Sequence, residues 1–220
     1  MRRNSNSVRR ARPLLGTLVD IRIADDSLPA LERAFATIQR VHRAMSAQDS
    51  TSDIARLRAG RCALDPWTRQ VLERAEEIRL ATDGLFDWRA GGYSLDGIAK
   101  GFAVDRAVEC LRDAGVAGGV VNAGGDLRVF GSWFEDVHVR PPRSPEVLRC
   151  IGSVREAAVA TSGCAGLVEP RAVSRRMPAS GVTVIAPDCM TADALTKPCL
   201  LEPQRAGELA ARLGARALVL

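Results

Sequence analysis

Between Gly97 and Phe130 the sequence changes its period twice, and this constrains the fold more than any other stretch. Ile98, Phe102, Val104, Val108 and Leu111 form the inward face of a helix from Gly97 to Ala114, and Gly115 stops it. Val116–Val121 and Asp126–Phe130 are then apolar and β-branched enough for two strands, with Asn122 to Gly125 between them. A helix running into two strands across a glycine pair builds a sheet with a helix beside it.

The rest of the chain repeats this mixture without regular alternation. Strands are expected at Leu18–Ile23, Asp136–Arg140, Ala157–Thr161, Gly181–Ala186 and Ala217–Leu220. Helices are expected from Ser27 to Ser46, from Asp65-Pro66 to Gly84, from Thr191 to about Leu201 and from Pro203 to Leu213. A short helix fits Ser52–Arg58, and Ser144–Leu148 reads as a Pro-flanked loop. The expected class is α+β or mixed α/β, with mixed sheets flanked by helices, in preference to a doubly wound sheet.

Composition narrows the function classes. The chain has 220 residues, enough for one generous domain, and 46% hydrophobic with 26% charged residues argues against disorder. Its net charge of +5 is scattered, and no basic helix with interleaved aromatics suggests nucleic-acid binding. Six cysteines make no Cys-x-x-Cys pair and lie apart from His42 and His138, which disfavours a zinc site and suggests reduced thiols. Residues 1–13 are basic and rich in Ser and Asn, and read as a flexible leader before a single domain over 14–220. Neither a signal-peptide core nor an apolar run of spanning length is present, so a cytoplasmic location is expected.

Four segments could carry chemistry. Ser94-Leu-Asp-Gly-Ile-Ala-Lys-Gly101 places Gly97 at a strand-to-helix turn and Lys100 in the first helical turn. Free N–H groups and a lysine there suit a phosphate, or the segment is an ordinary helix start with a solvated lysine. Asn122-Ala-Gly-Gly-Asp126 is either a hairpin turn or a glycine-lined wall for a flat ligand. Thr82-Asp-Gly-Leu-Phe-Asp87 ends a helix, and Phe86 is either a core anchor or part of a turn offering backbone groups to a heterocycle. Thr191-Ala-Asp-Ala-Leu-Thr-Lys197 sets Asp193 and Thr196 on one helix face. They could share a hard cation such as Mg²⁺ with phosphate oxygens, or Asp193 simply complements the helix dipole.

Taken in order, these segments resemble the motifs of the FAD:protein FMN transferases, the ApbE family of flavin transferases. Leu15-Gly-Thr17 and Met45-Ser46 are similar to the family's opening Met-Gly-Thr and Met-Ser motifs. Thr82–Asp87 is similar to Thr-x-Gly-x-Phe-Asp, and Ser94–Asp105 with Val121–Asp126 is the closest match. Ala160-Thr-Ser-Gly163 and Asp193-Ala-Leu-Thr196 complete the set, over about residues 14 to 220.

The resemblance implies a T-fold-like α/β architecture with FAD in an extended cleft. It implies flavin or adenosine contacts from Met45, Leu85, Phe86 and Asp87, and further cofactor contacts from Ser94, Asp96, Asn122, Gly124, Gly125, Thr161 and Leu167. Lys100 would meet the pyrophosphate, and the Gly97 carbonyl, Asp193 and Thr196 would hold Mg²⁺, with Lys100 and Asp193 as the catalytic pair. The implied reaction moves FMN from FAD to a Thr or Ser hydroxyl of an acceptor protein and releases AMP. A non-catalytic FAD-binding protein or a slow FAD pyrophosphatase is the alternative.

The chain departs from the family pattern at several places. Where the family continues to His-x-x-Asp-Pro, with the histidine a candidate general base, this sequence has Gly166-Leu-Val-Glu-Pro170. Ser94 stands where Asp is common, with Asp96 two places on, and Lys197 follows Thr196 where a second hydroxyl residue is frequent. A stretch that usually separates the Phe-Asp and Lys motifs is missing.

Overall fold

The computed structural model describes residues 7–141, 146–163 and 181–220. In chain order the elements are β1 (Val8–Leu14), β2 (Thr17–Ile23), α1 (Leu28–Met45), α2 (Asp53–Arg58), α3 (Pro66–Ala81), α4 (Ala99–Asp113), β3 (Gly118–Ala123) and β4 (Asp126–Gly131). Then come β5 (Glu135–Val139), β6 (Arg149–Val154), β7 (Ala157–Ser162), β8 (Val182–Ala186), α5 (Cys189–Leu201), a 3₁₀ turn at Pro203–Arg205, α6 (Ala206–Ala211) and β9 (Arg216–Val219).

Seven strands form one sheet in the order β1-β2-β3-β4-β7-β8-β9, and each described pairing in it is antiparallel. Strands β5 and β6 form a separate antiparallel pair. The expected mixed α/β class is what the chain adopts.

Side-chain alternation sorts the large sheet into two faces. Val19, Ile21 and Ile23 of β2, Val121 of β3, Phe130 of β4, Ala158 of β7 and Val184 of β8 join the main core with α1, α4 and α5. Val120, Leu127, Val129 and Val159 point the other way and pack on Val137 and Val139 of β5. The result is three layers: helices, large sheet, small hairpin.

Helix α5 is the centre of the helical layer. Eleven of its thirteen residues are buried, so it is enclosed almost all round rather than buried along one stripe. It begins at Cys189, not Thr191, because Asp188 is the N-cap and accepts the Thr191 N–H at 2.7 Å. Helix α4 crosses α5 closely at Gly101, where an added Cβ would lie 2.2 Å from the Cys189 carbonyl oxygen. Gly101→Ala is therefore expected to force the helices apart and to lower stability by about 1–3 kcal/mol, measurable as a lower urea midpoint.

Two strands correct the sequence reading. Residues 8–13 are not leader but most of β1, which pairs with β2 from Val8↔Ile23 to Leu14↔Thr17. Its alternation is hidden because Arg9, Arg10 and Ala11 are exposed at the sheet edge and Arg12, not an apolar residue, packs over Phe35. Strand β6 is also absent from the sequence reading; only Ile151 and Val154 in it are even half-buried. The expected final helix is broken into the 3₁₀ turn and α6.

Candidate active site

The first turn of α4, the β3–β4 turn, the middle of α5 and the end of β7 converge on one cluster of charge. Gly97 precedes α4 in a turn that follows a loop, not a strand. Lys100, in the first turn of α4, reaches across to the sheet, where its Nζ lies 2.8 Å from Asp126 Oδ2. The approach is off the favoured hydrogen-bond direction, which leaves that oxygen without an aligned donor and makes the contact an ion pair. Asp126 faces α4 because it alternates in phase with Arg128 and Phe130 on β4.

Asp193 projects from α5 into the same place with only 1% exposure. Its Oδ2 accepts the Gly101 N–H at 3.2 Å, and its Oδ1 accepts Lys197 Nζ. Lys197 lies one helical turn on, so the two share a face. The same ammonium donates to the Asp193 backbone carbonyl at 2.8 Å and to the Gly97 carbonyl at 3.3 Å. Thr196 Oγ1 bonds back to the Asp193 carbonyl at 2.7 Å and shares a 2.9 Å hydrogen bond with Ser162 Oγ at the end of β7.

Two carboxylates and two ammoniums thus alternate within a mostly buried cluster. Burial, then the Asp193 charge, raises the Asp126 carboxyl to about 6, against the pull of Lys100 and Lys197. Burial alone would lower the Lys100 ammonium, but the Asp126 and Asp193 carboxylates outweigh it and the net shift is upward.

Asp105 braces this arrangement from one turn further along α4. Its Oδ1 accepts the Cys189 N–H and Arg128 Nη1, both at 2.8 Å, and its Oδ2 accepts the Met190 N–H at 2.8 Å. A carboxylate of α4 therefore caps the start of α5 and fixes the position of Asp193. Burial pushes Asp105 up to about 6 even with Arg128 and two amides favouring its charged form.

Both Asp105 and Asp126 hold a proton more tightly folded than unfolded, where an aspartate titrates near 3.8. The folded state then binds more protons between about pH 4 and 6, so these groups add stability as pH falls through that window and lose it as pH rises. We expect Asp126→Asn to flatten this part of the stability–pH curve, checked by urea unfolding across the range.

The expected site residues do not all come together. Lys100, Gly97, Asp193 and Thr196 are brought together, and Phe86 packs beside them, where a Cβ on Gly97 would lie 3.3 Å from Phe86 Cε2. Met45 and Leu85 are buried in the main core. Asp87 Oδ1 accepts the Arg89 N–H at 3.0 Å, Ser94 Oγ accepts the Asp96 N–H at 3.1 Å, and Asp96 is exposed.

Asn122 and Thr161 point to the opposite sheet face. Asn122 pairs with Leu127 and braces the turn by accepting the Gly125 N–H at 2.9 Å. Thr161 shares a 2.9 Å hydrogen bond with Thr183. Gly124, exposed at φ +64°, abuts Thr17, and Gly125 is exposed at φ +106°. Leu167 and Gly166 lie outside the described residues. The polar groups of the cluster not singled out from sequence are Asp126, Ser162 and the brace Asp105; strand parity set by Phe130 would have selected Asp126 over Asn122.

The chain belongs to the ApbE family, whose model matches residues 15–94 and 92–219. The two matched segments overlap at residues 92–94, between the Phe-Asp and Lys motifs. The fold is similar to the flavin transferase ApbE of Vibrio cholerae, with 19% identity, a TM-score of 0.83 and coverage of 97% of this chain and 93% of that one. It is similar to the ApbE protein of Thermotoga maritima, with 22% identity, TM-score 0.84 and coverage of 97% and 94%. A third likeness is the apo flavinyl transferase ApbE of Pseudomonas stutzeri, with 18% identity, TM-score 0.79 and coverage of 96% and 90%. No curated protein matches the sequence closely enough to count as a relative. Among the described residues no helix is long and apolar enough to cross a membrane.

Proposed function

We propose that this chain binds FAD and transfers its FMN half to a Thr or Ser hydroxyl of an acceptor protein. The acceptor oxygen bonds to the FMN phosphorus, the phosphorus–oxygen bond to the AMP phosphate breaks with its electrons, and the hydroxyl proton is released. The observation that carries this reading is Lys100, held by Asp126 in the first turn of α4. A full charge and a helix N-terminus together favour a diphosphate. Phosphoryl transfer asks for positioning and for positive charge opposite the phosphates, more than for covalent chemistry. Family membership and the flavin transferases among the similar structures support the same reading.

The oxygens expected to hold Mg²⁺ fit it poorly. Gly97 O and Asp193 Oδ1 accept from Lys197, Asp193 Oδ2 accepts from Gly101, and Thr196 Oγ1 is hydrogen-bonded to Asp193 and Ser162. No group of three or more His, Cys, Asp or Glu arranged for a metal exists among the described residues. The positive charge opposite the phosphates comes from Lys100 and Lys197.

Incubation with FAD and an acceptor domain is expected to give a covalently fluorescent acceptor and an equal amount of AMP. Tight FAD binding with neither product would reduce the function to flavin binding, and no FAD binding at all would overturn the reading.

A further inference from the structure

We propose that Lys197 is a tethered cation that stands in for a divalent metal, so that this site works on its diphosphate ligand without Mg²⁺. The inference rests on the FAD reading above for the identity of the ligand, but not for the role of the lysine.

An ammonium has three donors and no acceptor. Lys197 Nζ meets three oxygens: Asp193 Oδ1, the Asp193 carbonyl at 2.8 Å and the Gly97 carbonyl at 3.3 Å. The last two are backbone groups of different elements, the middle of α5 and the turn that leads into α4, so the cage is formed by the α4–α5 crossing and not by chance rotation of a surface side chain. The stem is also seated. A Cβ on Gly97 would lie 3.5 Å from Lys197 Cε and 3.8 Å from Cδ, so the lysine stem runs alongside the glycine at contact distance.

The alternative occupant is a poor competitor. Mg²⁺ demands near-octahedral oxygens at about 2.0–2.1 Å and gives up its water reluctantly. It would have to expel an ammonium already bonded to Gly97 O and Asp193 Oδ1, and the two cations would repel. Within the protein part of the cluster, Asp126 and Asp193 are balanced by Lys100 and Lys197, a neutral set that needs no further ion.

The test uses the full chain with Mn²⁺ as the probe ion, followed by electron paramagnetic resonance, with and without FAD. In parallel, FAD binding is measured by calorimetry in EDTA and in Mg²⁺. The expected result is no stoichiometric Mn²⁺ binding to the parent and FAD affinity that agrees within about twofold in the two buffers. Lys197→Ser, which opens the cage, is expected to gain one equivalent of Mn²⁺, and Lys197→Ser with Asp193→Asn to lose it again.

One equivalent of Mn²⁺ on the parent, or FAD affinity that falls about tenfold or more in EDTA, overturns the proposal. So does a folded Lys197→Ser variant, checked by circular dichroism, that binds no more Mn²⁺ than the parent. If Lys197→Ser fails to fold, the two arms on the parent protein decide. If FAD binds in neither buffer, the flavin reading fails while the Mn²⁺ titrations still decide the role of Lys197.

Discussion

Replacing Asp105 with alanine is expected to destabilise the fold by roughly 3–5 kcal/mol, although the residue lies outside the charged cluster. Asp105 is 5% exposed and satisfies three donors from two other elements: the Cys189 and Met190 amides and the Arg128 guanidinium. Alanine leaves two helix-start amides and a mostly buried cation without an acceptor. Each uncompensated group carries its own desolvation cost, so the loss exceeds the value of any one hydrogen bond. The urea midpoint should fall with little change in m, and Asp105→Asn, which keeps an acceptor oxygen, should recover part of the loss. Because Asp105 also fixes where Asp193 sits, the alanine variant should bind FAD more weakly even at temperatures where it stays folded. A variant with parental stability would show that α5 does not need its cap from α4.

Lys100→Ala is expected to weaken FAD binding about 10–100-fold. A hydrogen bond to a charged group contributes about 1.5–3 kcal/mol, and each tenfold in affinity is about 1.4 kcal/mol. The effect on stability should be smaller than for Asp105→Ala, since Lys100 is partly exposed and the Asp126 it abandons can take up a proton. Losing that lysine should raise the Asp126 carboxyl further, so the variant's stability should fall more steeply as pH rises towards neutrality. Calorimetry with FAD checks the first effect and urea unfolding at two pH values checks the second. Unchanged FAD affinity would remove Lys100 from the phosphate site.

The sequence shows most of the helices plainly, and it shows which segments meet. The stripe Leu31, Phe35, Ile38, Val41 and Met45 is buried as its spacing predicts. Gly97–Gly101 and Asp193–Thr196 come together at one crossing. What is harder to read is orientation within a segment. One step along a strand reverses the face, so Ser162 joins the cluster while Thr161 bonds Thr183 on the far side. The same parity separates Asp126 from Asn122. Lys197 stands out in sequence as a departure from the family pattern, but its reach to the Gly97 carbonyl depends on how closely α4 and α5 cross, which no local pattern states. Strands β1 and β6 escape because a strand with little buried surface has little periodicity to display.

Strand β1 forms one margin of the seven-stranded sheet. A strand at the margin of a sheet offers unpaired backbone groups to any other extended chain, and aggregation begins at such margins. Here the margin is lined with Arg9, Arg10 and Arg12 and closed by Pro13, which has no N–H to give. A chain trimmed to begin at Thr17 would transfer that exposure to β2, whose Val19, Ile21 and Ile23 are fully buried core residues. Exposed Arg9 and Arg10, with Pro13, make this margin a poor template for edge-to-edge pairing between copies of the protein.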